Sequence, residues 1–163
     1  MSIIYKSVRI GKGGKPFSMY KLRTLKEGVK TQYNHGENYV LGGKFLRRFR
    51  LDEAFQFWNV LKGDMALVGP RPETEEGWRF IPQHIKDKIL SIKPGMFGIA
   101  GIHFFDEERL LAQSHDPEEL FWTKIKPMKF VLECFYVENK CFSLDIWLVW
   151  QGVKTAIKHL WSK

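Results

Sequence analysis

The chain has little cysteine, no long apolar run and no paired histidines, and each shortage closes a class of explanation. Two cysteines in 163 residues, Cys134 and Cys141, are too few for a disulfide framework and lack metal-site spacing. Reduced, mostly buried thiols are expected, as in a cytoplasmic protein. The five histidines form no HxxxH-type pair, which argues against a zinc site. The longest stretch free of Asp, Glu, Lys and Arg, Pro94–Phe105, is far shorter than the roughly 20 residues a membrane-spanning helix needs. No secretory signal is expected either, because Lys6 and Arg9 interrupt the opening residues.

Acidic residues are nearly missing from positions 1–50, where 12 lysines and arginines face 2 acids. The rest of the chain holds 14 against 16, so the net charge of +8 is concentrated at the N-terminal end. Such asymmetry asks for an anionic partner: a phosphorylated ligand, an anionic membrane surface or a nucleic acid. No nucleic-acid-binding motif occurs, so nucleic acid is not expected as a partner. With 44% hydrophobic residues the length supports one domain, 1–163, with its own core.

What is present reads as a mixed α/β (α+β) chain, a small sheet and hairpin packed with several helices. Strands around Val8–Ile10 and Phe17–Leu25 flank a turn at Gly11–Gly14. "GKGGK" is a turn rather than a P-loop, since the Gly-Lys-Ser/Thr ending is missing. Lys26–Asn38 reads as a surface loop, Leu41–Arg50 as a short basic helix, and Asp52–Lys62 as a second helix with Ala54, Phe55, Trp58 and Leu61 on one face. Met65–Val68 reads as a strand running into a Gly-Pro-Arg-Pro turn, and Pro82–Ser91 as an amphipathic helix. "GMFGIAGIHFF" suggests a close-packed loop or strand. From Pro117 the pattern is helical, interrupted at Pro127, with a final helix over about Leu144–Trp161. In that helix Trp147, Trp150 and Trp161, beside Lys154, Lys158 and Lys163, fit either core packing or a helix lying in lipid headgroups.

The chemistry concentrates in "RRFRLDEAF", residues 47–55. Asp52 before an apolar run is a good helix N-cap, with Glu53 favouring the helix dipole. The alternative is a carboxylate nucleophile aimed at a phosphate. Arg47, Arg48 and Arg50 stand close by, and Arg71 is fixed between two prolines. Guanidinium groups bind phosphate oxygens in a bidentate fork. A carboxylate among such cations stays ionised, the form that attacks phosphorus.

Over "GKGGKPFSMYKLRTL", "GGKFLRRFRLDEAFQFWNVLKGDMALVGPRPE", "IKPGMFGIAG" and the aromatic C-terminal segment, the chain resembles the bacterial sugar transferases, the monotopic polyprenyl-phosphate phosphoglycosyl transferases. The resemblance implies an enzyme that transfers a phosphosugar from a UDP-sugar to a polyprenyl phosphate at the cytoplasmic face of the bacterial membrane, beginning lipid-linked glycan assembly. It implies Asp52 as nucleophile, forming a phosphosugar–aspartyl intermediate, Glu53 as a holder of Mg²⁺, and Arg47 and Arg71 as phosphate binders. Asp64 orients Arg71, ligates metal or simply shapes a turn; Lys21 and Arg23 reach an anionic ligand or line a solvated strand face. Arg48 and Arg50 are read as general surface charge.

The chain opens directly at the hairpin, so the family's N-terminal re-entrant helix is expected to be absent or removed, leaving peripheral attachment to an anionic membrane surface. Phe97 and Gly101 stand where the family usually carries Thr and Gln. That departure motivates an alternative: an inactive or weakly active relative that binds nucleotide sugar and works with a partner.

Overall fold

The computed structural model describes residues 2–28, 38–79 and 81–161, so most of the expected Lys26–Asn38 loop, and Lys163, lie outside the described residues. The chain opens with strands β1 (Ile4–Ile10) and β2 (Pro16–Leu22), paired antiparallel from Ile4 opposite Leu22 to Ile10 opposite Pro16. Gly13 and Gly14 turn the corner at φ 67° and 75°, a left-handed backbone that glycine adopts without a Cβ penalty. The hairpin expected from the sequence is therefore present, with its first strand starting earlier and its second ending before Leu25.

Helix α1 (Gly43–Arg48) is shorter than the expected Leu41–Arg50, because Arg50 adopts φ 54° and ends the helical path. A tight 3₁₀ turn (Leu51–Glu53) follows, then α2 (Gln56–Leu61). The single helix expected over Asp52–Lys62 is thus split. Asp52 is not its N-cap: Phe55 takes that place, with no side-chain cap.

The polarity of α2 is inverted relative to a core helix. Gln56 and Asn59 are buried, whereas Phe55, Phe57, Trp58 and Leu61 are exposed, so the expected apolar face does not pack into the core. Asn59 explains the orientation. Its Oδ1 accepts from the Tyr20 N–H at 3.2 Å, and its Nδ2 donates to the Ser18 carbonyl at 2.6 Å. One amide side chain thereby replaces a missing strand beside β2, satisfying backbone groups that would cost energy if buried unpaired.

Strand β3 (Ala66–Val68) pairs in parallel with β4 (Gly95–Phe97). A Cβ on Gly95 would fall 1.9 Å from the Gly69 nitrogen, so the Gly-Pro-Arg-Pro turn and the "KPG" turn can cross only with glycine there. Between them lie α3 (Glu75–Trp78) and α4 (Gln83–Leu90), the latter matching the helix expected at Pro82–Ser91. The segment expected as loop or strand divides into β4 and a short helix, α5 (Ile99–His103).

Helices α6 (Glu107–Ala112) and α7 (Pro117–Leu120) lead through a π turn at Phe121–Ile125 into α8 (Lys126–Asn139). Pro127 does not interrupt this path. It follows directly on the π turn, and the helical backbone runs through it without a break. α8 is the spine of the fold: Phe130 packs with Trp78 and Ile89, and Tyr136 packs with Val68 and Leu148. Leu148 belongs to α9 (Phe142–Trp161), which rests one edge on the core and leaves Ile146, Trp147, Trp150, Val153, Ile157 and Trp161 exposed. Both cysteines are free; Cys134 is half-buried, but Cys141, expected to be buried, is exposed.

Candidate active site

The 3₁₀ turn after Arg50 places two adjacent carboxylates under the hairpin. Asp52 and Glu53 are each only 7% exposed, unusual for acids and costly unless compensated. Compensation at Glu53 is extensive. Its Oε1 accepts from Arg71 Nη2 at 2.5 Å and from Lys21 Nζ at 3.0 Å. Its Oε2 lies 3.4 Å from Arg71 Nη1 and 4.0 Å from Arg50 Nη1. Burial works against the Glu53 charge, yet Arg71, Lys21 and Arg50 hold its carboxyl well below the usual range. Glu53 in turn raises the Arg71 guanidinium further. Lys21 is pulled down by burial, with Glu53 opposing.

Asp52 makes none of these close ion pairs among the described residues. Burial raises its carboxyl to about 6, helped by the Glu53 charge and opposed chiefly by Lys21, then Arg47 and Arg71. Two neighbouring acids are therefore driven apart: Glu53 is locked as a carboxylate, and Asp52 titrates near neutrality with its charge uncommitted. Environments that separate paired carboxyls in this way divide their roles. A buried carboxylate flanked by guanidinium groups is equipped to meet the phosphorus of an anionic substrate.

Of the residues expected at the site, the structure brings together Asp52, Glu53, Arg71 and Lys21. Arg47 stands at its edge, ion-paired with Glu108. Arg23 lies outside, donating through Nε to the Ser2 carbonyl at 2.8 Å. Asp64 is also outside: it accepts from Asn59 at 3.3 Å rather than from Arg71. Arg50 is the residue that sequence reasoning missed. It is no general surface charge: it donates to the Gly101 carbonyl at 3.1 Å and lies 4.7 Å from the Phe105 ring centroid. A Cβ on Gly101 would meet Arg50 and Arg71 at 3.6 and 3.8 Å, so both guanidinium groups converge on that glycine. The left-handed Arg50 backbone was the missing signal, and sequence does not announce it.

Among the described residues no three His, Cys, Asp or Glu side chains converge as a metal cage. The hard oxygen donors are the Asp52–Glu53 pair. Both Glu53 oxygens already accept from Arg71 and Lys21, so Mg²⁺, which takes one or two carboxylates beside waters and phosphate oxygens, would enter through Asp52 or by releasing one of those cations.

Residues 1–159 match the family described as bacterial sugar transferase. The chain is 31% identical over 160 residues to the uncharacterized sugar transferase EpsL of Bacillus subtilis (strain 168), covering 95% of this chain and 70% of that protein. It is 29% identical over 167 residues to the UDP-N-acetylgalactosamine-undecaprenyl-phosphate N-acetylgalactosaminephosphotransferase of Aeromonas hydrophila, covering 95% and 35% respectively. Over 108 residues it is 39% identical to the UDP-glucose:undecaprenyl-phosphate glucose-1-phosphate transferase of Escherichia coli (strain K12), covering 62% and 23%. The chain thus spans less than half the length of the last two.

Proposed function

Because the chain belongs to the bacterial sugar transferase family, we propose that it transfers a phosphosugar from a UDP-sugar to a polyprenyl phosphate through a covalent phosphosugar–aspartate, with residues 1–163 acting as one catalytic domain. An Asp52 carboxylate oxygen attacks the phosphorus that bears the sugar. The bond from that phosphorus to the bridging oxygen breaks, and UMP leaves with the electron pair. An oxygen of the polyprenyl phosphate then attacks the same phosphorus, the Asp52–phosphorus bond breaks, and the carboxylate is restored. Arg71 and Arg47 bind the phosphate oxygens, and Arg50 adds a third guanidinium beside Gly101. Lys21 holds Glu53 in place and moderates the pKa of Asp52. Mg²⁺ held by Glu53 would require one of its Arg71 or Lys21 contacts to give way, and would supply charge neutralisation for the transferring group.

The observation that carries this reading is the contrast within one buried acid pair: Glu53 is saturated by cations, and Asp52 keeps its charge free for a reacting atom. The test is intact-mass measurement after incubation with a panel of UDP-sugars and Mg²⁺. A phosphosugar adduct that disappears in Asp52→Asn supports the mechanism. UDP-sugar binding without adduct or UMP release would instead favour an inactive relative.

The acceptor is a lipid, and the exposed surface suits one. No helix among the described residues is long and apolar enough to cross a membrane. Phe57, Trp58 and Leu61 on α2, with Trp147, Trp150 and Trp161 on α9, nonetheless face outward. Aromatic side chains beside Lys154 and Lys158, together with the basic N-terminal segment, fit peripheral attachment to an anionic leaflet at its cytoplasmic face.

A further inference from the structure

Pro70, Arg71 and Pro72 share one backbone N–H, because neither proline carries one. That N–H, on Arg71, is donated to Oε1 of Glu133 on α8 at 3.2 Å. Glu133 is 4% exposed, and its other oxygen, Oε2, is buried without a hydrogen-bond partner among the described residues. Gly98 permits the approach, since a Cβ there would stand 2.9 Å from the Gly69 carbonyl oxygen and 3.5 Å from Glu133 Oε1.

Two further charges on α8 grip neighbouring parts of the site. Lys126 Nζ lies 2.7 Å from Glu73 Oε2, just beyond the Arg71 turn, and Lys129 pairs with Glu107. Spacings of three and four residues place Lys126, Lys129 and Glu133 along one side of the helix. From the opposite side, the Ile10 N–H of the hairpin donates to the Glu73 carbonyl at 2.9 Å. The turn bearing Arg71 is therefore clamped at its only free donor and at the residue two places on.

Glu133 is an expensive clamp. Burial raises its carboxyl to about 7, against the Arg71 amide and guanidinium, which favour the charged form. Packing alone would be served by an apolar residue at this position of α8, between Phe130 and Tyr136.

We infer that Glu133 is a positioning residue for the transfer reaction: through the Arg71 amide it fixes the direction in which the Arg71 guanidinium reaches Glu53 and an incoming phosphate. The inference rests on the transferase reading of the Asp52 site. Glu133→Gln keeps a carbonyl acceptor for the Arg71 N–H, whereas Glu133→Leu removes it at similar volume. UMP release from a UDP-sugar with undecaprenyl phosphate should fall by about 10- to 100-fold in Glu133→Leu, chiefly in kcat, the usual scale for an outer residue that orients an inner one. Glu133→Gln should recover most of that loss. In an Arg71→Ala background the Leu substitution should cost less than about threefold, since residues acting through one another are non-additive.

Amide hydrogen exchange at Arg71 gives a readout that does not depend on turnover. Exchange should be slow in wild type and Glu133→Gln and clearly faster in Glu133→Leu. Unchanged Arg71 exchange in Glu133→Leu, equal losses in Gln and Leu, or an undiminished Leu effect without Arg71 would each overturn the inference. A wild-type protein that releases no UMP sinks the transferase reading and this inference with it. Wild-type turnover that Glu133→Leu leaves intact sinks the inference alone.

Discussion

Replacing Asp52 with asparagine should abolish turnover and, at neutral pH, make the protein more stable. The Asp52 carboxyl rises from an ordinary 3.8 to about 6, first because it is buried. An acid whose pKa is higher folded than unfolded binds its proton more tightly in the fold. Its contribution to stability is fully present below about pH 4 and is lost as pH rises through 6. At about 1.4 kcal/mol per pH unit, that loss is about 3 kcal/mol by pH 7.5, an order-of-magnitude ceiling. Asparagine has the same shape, stays neutral and loses nothing over this range. The stability of Asp52→Asn relative to wild type should therefore grow by up to about 3 kcal/mol between pH 4 and pH 7.5. For a chain of this size, that widens the difference in Tm by roughly 6–12 °C. Metal-free thermal unfolding at several pH values measures it, with UMP release assayed on the same samples. A Tm difference independent of pH would show that Asp52 is not a desolvated carboxylate. A variant that still turns over would show that it is not the nucleophile.

Glu53→Gln should behave oppositely. It strands Lys21, Arg50 and Arg71 without their shared counter-charge, and denaturant titration should show a loss on the order of 3–5 kcal/mol, the range for one broken buried pair. Arg71→Ala should reduce kcat/KM by roughly 100-fold or more, and Arg71→Lys should restore only part, because the fork across both Glu53 oxygens needs two guanidinium nitrogens. Asn59→Leu should destabilise by roughly 2–4 kcal/mol in the same titration, since the Tyr20 N–H and Ser18 carbonyl lose their partners in a fully buried position. In flotation assays the protein should bind anionic liposomes at low salt, less at high salt, and neutral liposomes little; equal binding to both, or none to either, would refute peripheral attachment.

Features set by local covalent constraint were legible in the sequence. Paired glycines at 13 and 14 specified the hairpin turn, prolines at 70 and 72 specified a non-helical turn around Arg71, and the spacing of apolar residues placed α4 and α9. The acid pair and its arginines were legible as one charged cluster, but in the sequence the same two acids read equally as a helix cap. Features set by long-range pairing were not. Lys21 and Arg23 sit two residues apart on one strand and look alike in sequence, yet one reaches Glu53 across 32 positions and the other turns back to Ser2. Asp64 next to a turn gave no hint that Asn59 would claim it.

The deeper failure concerns α2, and it follows from the site itself. Periodicity assigns apolar side chains to the interior because burial of apolar area usually decides which face turns inward. Here the inward face meets a strand edge with open backbone groups and the turn that carries Asp52 and Glu53. Asn59 on that face repays its burial with hydrogen bonds that no leucine could make. Once the polar side of α2 is claimed by β2, Phe57, Trp58 and Leu61 have nowhere to go but outward. The same logic buries Glu133 and Lys126 on α8 against the Arg71 turn while Met128, Val131 and Phe135 are exposed. A fold that gathers its charges inward around one carboxylate pair puts apolar side chains on its surface, and under the proposed reaction, whose acceptor is a lipid, that surface has a use.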